Sequence, residues 1–156
     1  MPPVIVKELR TRNRVVPRRH ENVAVLFADI VGFTQFCETT PPEDVMHLLS
    51  RLVESWEESA IKHGVEKIKT LGDAFMAATG LWENKDNPVL DCVQCGLEMI
   101  AATQALPPWN LRVGIHVGPV VAGVMGKRKY AFDLWSATVN TAARMESHGI
   151  AGSITL

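Results

Sequence analysis

At 156 residues the chain is long enough for one domain with a sizeable buried core, on the usual ~100–200 residues per domain. With 47% hydrophobic and 21% charged residues it is not disordered throughout, and a formal net charge of −1 gives no global case for nucleic acid or a membrane surface as partner. No stretch approaches the ~20 apolar residues of a membrane span, the N-terminus lacks a signal-peptide core, and three cysteines are too few for a disulfide framework, so a reducing, cytoplasmic setting is expected.

The first twenty residues carry Lys7, Arg10, Arg12, Arg14, Arg18 and Arg19 against Glu8, whereas the remainder is net −6. This predicts a basic linker or arm over 1–21, solvated and joined to a possible upstream regulatory domain, with the folded domain over 22–156. Val23 to Ala28 is a continuous apolar run, as in a strand covered on both faces, and it ends at Asp29. Pro41-Pro42 opens a helix with Glu43 and Asp44 in its first turn. Its apolar positions Val45, Leu48, Leu49, Leu52, Val53, Trp56, Ala60 and Ile61 recur at helical spacing, and Gly64 stands where a C-terminal cap belongs. Val65–Lys69 and Ala74–Thr79 read as a hairpin around Leu71-Gly72-Asp73. Asn87-Pro88 starts a second helix to about Gln104, with Val89, Val93, Leu97, Ile100 and Ala101 inward, and Pro107-Pro108 breaks it. Leu111–Val117 and Val120–Met125 read as strands joined by Gly118-Pro119, Lys127-Arg128-Lys129 as an exposed turn, Val139 to about Ser147 as a third helix, and Ser153–Leu156 as a last strand. The order β-α-β-β-α-β from Val23 to Val117 predicts an α/β (α+β) ferredoxin-like sandwich with additional C-terminal elements.

That topology serves many activities, so function has to come from particular side chains. Asp29 closes a strand that is otherwise wholly apolar, and a buried carboxylate needs a partner. Ile30-Val31-Gly32-Phe33-Thr34 then makes a tight turn into a helix, where free backbone N–H groups can hold phosphate oxygens. Asp73 lies in a hairpin that the topology makes a neighbour of the first strand, so the two acids can share one or two Mg²⁺ ions. On residue type alone Asp29 equally suits an N-cap and Asp73 a turn carboxylate. Cys92-x-x-Cys95 falls inside a helical pattern and reads as core, and His116 reads as a packed strand histidine.

Four strings resemble the class III nucleotidyl cyclase catalytic domain. They are Val25 to Thr34 (VLFADIVGFT), Lys67 to Ala77 (KIKTLGDAFMA), Arg112 to Gly123 (RVGIHVGPVVAG) and Val139 to Glu146 (VNTAARME). The likeness runs in order from about Asn22 to Leu156. By that resemblance Asp29, Asp73 and the carbonyl of Ile30 would bind two Mg²⁺ or Mn²⁺ ions per site, and Ile30, Gly32, Phe33 and Thr34 would line the phosphates. Lys69 and Asp133 would read the purine, Asn140 would orient the ribose, and Arg144 would stabilise the transition state at phosphorus. The family builds its site between two catalytic domains; one chain carrying both sets implies a homodimer with two shared sites. Family domains also continue past the strand at Ile154 with a triphosphate-binding lysine, so the domain is expected to be C-terminally incomplete, with no lysine here assigned that role.

The base pair of residues suggests a substrate. Adenine offers an N6 donor and an N1 acceptor; Asp133 can accept from the first and Lys69 can donate to the second. Guanine would set a carboxylate against O6 and an ammonium against N1–H. The expected reaction is therefore ATP to 3′,5′-cyclic AMP and pyrophosphate. The alternatives are a catalytically weak nucleotide-binding regulatory domain, a guanylate cyclase and a diguanylate cyclase; Leu71-Gly72-Asp73-Ala74-Phe75 lacks the Gly-Gly-Asp/Glu-Glu-Phe turn of the last. Ser136-Ala137 departs from the family's usual Gly and polar residue, and strain is expected at Ser136 if that position needs positive φ.

Overall fold

In the computed structural model, which describes residues 2–106, 109–126 and 129–156, the apolar run at Val23 is the middle of a 14-residue strand, β1 (Arg18–Val31). Pro107-Pro108 and the Lys127-Arg128 part of the basic turn lie outside the described residues. Side chains alternate along β1. Ala24, Leu26, Ala28 and Ile30 enter one apolar cluster and Val23 and Val25 the other, so the run is continuous because both sheet faces are covered.

One face is covered by helices. After a short helix, α2 (Phe33–Thr39), the predicted proline-initiated helix runs as α3 (Pro42–Lys62), and Gly64 follows it at φ +68°. The hairpin forms as β2 (Glu66–Leu71) and β3 (Ala74–Thr79). Next comes α4 (Pro88–Gln104), where the Asn87 side chain accepts the Leu90 N–H at 3.4 Å. Trp56 of α3 lies edge-on to Phe75 and donates its indole N–H to Thr103 of α4 at 3.2 Å. The inward face of α4 differs from the expected one. Cys92, Cys95, Gly96, Met99, Ile100 and Thr103 are buried, whereas Leu97 and Ala101 are exposed and Val89 and Val93 half-buried. The α4 stripe follows its small residues, because Gly96 lets the helix approach Val113 and Ile154 closely.

The expected turn at Gly118-Pro119 is absent. One strand, β4 (Asn110–Met125), runs straight through it. Pro119 is tolerated because the β1–β4 register shifts between His20 and Val23, and a residue without an N–H fits opposite such a bulge. Beyond the predicted elements, β5 (Ala131–Trp135) pairs with the far half of β4. The third helix is α5 (Ala137–Ser147), and β6 (Ser153–Thr155) runs parallel to the start of β4. The strand order β2-β3-β1-β4-β5, antiparallel throughout, contains the ferredoxin-like core β2-β3-β1-β4.

The basic segment is not a solvated arm. Pro3–Arg12 forms a helix, α1, that buries Ile5 in the cluster of Val23, Ile68 and Leu134. Glu8 grips the Arg18 guanidinium through both oxygens at 2.8 and 3.1 Å and accepts the Val16 N–H at 3.1 Å. Composition concealed this: Glu8 and Ile5 fold the segment back, while Lys7, Arg10, Arg12 and Arg14 stay exposed. No helix among the described residues is long and apolar enough to cross a membrane.

Candidate active site

Register brings the acids together. Asp29 stands opposite Ala74 of β3 and Arg112 of β4. Asp73, one residue before Ala74, is held in the hairpin turn by Gly72 at φ +61°, a conformation suited to glycine. The two carboxyls are close enough to disturb each other. Burial, and then the hydrogen bond and charge of Asp29, push the Asp73 carboxyl up to about 7, against the backbone N–H groups of Asp73 and Ile30, which lower it. Arg112 leans on Asp29 with Nη2 at 3.3 Å from Oδ2, and its Nη1 donates to the Ser147 carbonyl at 3.2 Å. Glu146 approaches the same guanidinium from α5, Oε1 lying 3.5 Å from Nε. Burial, followed by the Asp29 charge, raises the Glu146 carboxyl; Arg112 opposes that.

These groups suit a hard divalent cation. Two carboxyls are pressed together, one of them pushed up to about 7, and a guanidinium lies beside them. Among the described residues no group of three or more His, Cys, Asp or Glu gathers to hold a metal. Any cation here would complete its shell with backbone oxygen, such as that of Ile30, with water and with phosphate, the usual habit of Mg²⁺.

The turn after Asp29 carries no charged side chain. Ile30 is buried, and Phe33 packs edge-on against Trp109 with ring centroids 6.0 Å apart. Gly32, at φ +80°, caps α2 and its carbonyl accepts the Phe36 N–H; Gly32 and Thr34 are exposed. Asp29 is not the cap of α2, so that reading of its role is removed.

Lys69 and Asp133 meet although β2 and β5 lie at opposite ends of the strand order: Nζ is 2.7 Å from Oδ2. Two irregularities allow it. The far half of β4 carries β5 over the sheet, so that Phe132 and Leu134 share a cluster with Ile68 and Met76. A register shift between Lys67 and Lys69 then breaks the alternation of β2. Strict alternation would point both lysines to one face; instead Lys67 pairs with Glu57 of α3 and Lys69 with Asp133 on the other face. The Asp133 carboxylate is fixed further by the Leu134 N–H on Oδ1 at 2.8 Å.

Asn140 and Arg144 are exposed and one turn apart on α5. The helix rests directly on β4. A Cβ added at Gly114 would lie 2.1 Å from the Glu146 nitrogen, and one at Gly118 2.5 Å from Thr138 Oγ1. Ser136 begins α5 at φ 173°, ordinary extended backbone, and its hydroxyl accepts the Val139 N–H at 3.3 Å. The strain anticipated at Ser136 is absent because the position is an N-cap, where serine is favoured.

Three sets of groups thus form: Asp29 and Asp73 with Arg112 and Glu146; Lys69 with Asp133; and Asn140 with Arg144. Among the described residues no hydrogen bond or ion pair joins one set to another. Arg112 and Glu146 were not assigned roles from sequence. Their signal was a lone cation in the apolar β4 run and an acid two residues after Arg144, and it becomes readable only with the β1–β4 register. Cys92 and Cys95 are core thiols: burial raises both, Cys95 to about 12, and Cys92 Sγ lies against the Ala24 carbonyl.

Comparison with known proteins gives a consistent picture. The family model for the adenylate and guanylate cyclase catalytic domain matches residues 15–156. An adenylate cyclase of Mycobacterium tuberculosis is 38% identical over 99% of this chain, and a germination-specific adenylate cyclase of Dictyostelium discoideum 41% over 99%. Human guanylyl cyclase C is 36% identical over 96%. The chain spans only 36%, 19% and 15% of those three proteins. Among solved structures, the guanylate cyclase domain of a Catenaria anguillulae protein in complex with GTP superposes with a TM-score of 0.84 at 35% identity, covering 88% of this chain and 78% of that one. The adenylyl cyclase CyaB of P. aeruginosa gives 0.78 at 26%, covering 90% and 78%.

Proposed function

The chain belongs to the adenylate and guanylate cyclase catalytic domain family, and from that premise we propose that it is an adenylate cyclase that turns ATP into 3′,5′-cyclic AMP and pyrophosphate at sites shared by two copies. The observation that carries the adenine preference is the 2.7 Å pair of Lys69 and Asp133. With Lys69 set toward N1 and Asp133 toward the 6-substituent, as the family resemblance implies, the pair complements adenine N1 and N6. In that placement it meets guanine N1–H and O6 with the polarity reversed, and polar groups left unpaired reject an analogue strongly.

In the reaction the ribose 3′-oxygen forms a bond to the α-phosphorus, the bond from that phosphorus to the bridging oxygen breaks, pyrophosphate leaves and the 3′-hydroxyl proton passes to solvent. Asp29, Asp73 and the Ile30 carbonyl would hold Mg²⁺ or Mn²⁺, which lowers the 3′-hydroxyl pKa and neutralises phosphate charge when bound. The Gly32–Thr34 turn offers backbone N–H groups to phosphate oxygens. Asn140 orients the ribose, and Arg144 supplies a planar fork to the oxygens on which charge grows. Phosphoryl transfer leaves little covalent work to the protein, so positioning and charge carry the rate.

The separation of the three sets within one chain supports the homodimer. Asn140 and Arg144 face solvent on α5, where a second copy can bring its acids to them. The test is an assay of purified protein with ATP or GTP and Mn²⁺, resolving the two cyclic products. Cyclic AMP in excess is expected. A dominant cyclic GMP product would select the guanylate alternative, which the 36% identity to human guanylyl cyclase C keeps in play. Nucleotide binding without turnover would select the regulatory reading.

A further inference from the structure

Arg112 is held from two sides. From β1, Asp29 Oδ2 lies 3.3 Å from Nη2. From the end of α5, the Ser147 carbonyl accepts from Nη1 at 3.2 Å and Glu146 Oε1 lies 3.5 Å from Nε. That last contact is incomplete. Arg112 Nε and Glu146 Oε1 are both buried, and neither has a hydrogen-bond partner. A buried N–H and a buried carboxylate oxygen that face each other without bonding are costly, and a movement of a few tenths of an ångström would join them. Asp29 and Glu146 thus share one guanidinium, each at a long distance, and so compete for it.

We propose that Glu146 is a positioning residue for Arg112, receiving the guanidinium when a divalent cation takes Asp29. This rests on the metal-dependent cyclase reading for its purpose, though not for its geometry. Occupation of Asp29 by a cation ends the competition. Arg112 then closes onto Glu146 and keeps the Ser147 carbonyl. Without Glu146 the guanidinium has Asp29 as its only carboxylate partner and opposes entry of the cation. The same helix presents Asn140 and Arg144 on its outer side, so Glu146 ties the chain's acid pocket to the helix that serves the partner's site.

The test is a double-mutant cycle on the full chain, reading binding of 3′-deoxy-ATP with Mn²⁺ by calorimetry, since that analogue cannot cyclise. Glu146→Leu removes the acceptor at similar bulk and is expected to weaken binding about tenfold, the scale typical of an outer-shell partner. Glu146→Gln, which keeps a neutral acceptor, should fall between it and the parent. In an Arg112→Ala background the Glu146→Leu effect should shrink to less than about twofold, because nothing is left to position. An equal loss in both backgrounds would mean that Glu146 acts by its own charge or by packing, and would overturn the proposal. A second readout needs no nucleotide. Solvent exchange of the Arg112 Nε–H, followed by NMR, should slow severalfold when Mg²⁺ is added to the parent, less in Glu146→Gln and not at all in Glu146→Leu. An equal response to Mg²⁺ in the parent and in Glu146→Leu overturns the proposal even if the protein turns over ATP. The expected difference in a protein that makes no cyclic nucleotide would support it while sinking the cyclase reading.

Discussion

The two charged clusters of this domain are built to opposite standards. At Lys69–Asp133 each carboxylate oxygen has its donor, at 2.7 and 2.8 Å. At Asp29–Arg112–Glu146 the contacts stretch to 3.3 and 3.5 Å, and two buried polar atoms go unmet. The first cluster is satisfied by its own chain, and a base would have to replace the Lys69 bond while the Leu134 N–H stays in place. The second leaves two buried polar atoms unmet, and on the proposed reading a cation and phosphates would satisfy it. On the proposed reading selectivity suits the former, because a base that cannot serve both Lys69 and Asp133 would break their bond and leave both unpaired. On the same reading a cation suits the latter, where Asp29 and Glu146 share one guanidinium at long distances.

Removing an acid from the frustrated cluster should give the largest effect. Asp29→Ala is expected to lower turnover by about a thousandfold, the upper range for loss of a preorganised electrostatic partner. Its melting temperature should stay near that of the parent, because Arg112 gains Glu146. A variant that retains turnover, or unfolds, would break the contrast. Next in size is the satisfied cluster. Lys69→Glu with Asp133→Cys reverses the donor and acceptor order and should move the ratio of GTP to ATP efficiency by about a hundredfold or more. An unchanged ratio would show that the pair does not read the base.

Mixing tests whether the clusters of two chains meet. Asp73→Ala and Lys69→Ala proteins, each inactive alone, should recover about a quarter of parental activity when combined in equal amounts. Half the dimers are then mixed, and each mixed dimer keeps one intact site. No recovery, with mixed dimers shown to form, would contradict shared sites.

The smallest expected effect is on stability. Asp73 keeps its proton to about pH 7 when folded but sheds it near 3.8 when unfolded. Between those values the folded state binds more protons, so the stability of the cation-free protein falls as pH rises from about 4 to about 7. Mn²⁺ competes with that proton and should raise the melting temperature more at pH 8 than at pH 5. Asp73→Asn should flatten both trends.

Periodicity made α3, α4, α5 and the β2–β3 hairpin legible, and their bounds differ little from those expected. The acids were legible as carboxylates ending apolar or turn segments. What escaped depended on contacts distant in sequence. Gly118-Pro119 reads as a turn locally and is strand because a bulge in β1 faces it. Residues 1–21 read as solvated because composition cannot show that Ile5 finds Ile68 and Leu134. Leu97 reads as core from its type and is exposed because α4 is seated on its small residues instead. Arg112 and Glu146 sit within recognisable strings, yet their meeting with Asp29 is a fact of strand register.

The bare strip of β4 at Gly114 and Gly118 has a consequence for how this domain can vary. Where a helix rides on side chains, its height drifts as those side chains change size. At Gly114 α5 is grounded on main chain, so the height of its Arg144 end is set by backbone contact, while Val139 and Ala142 seat its earlier turns in the core. A lone methyl group at Gly114 would lift that end off its bed.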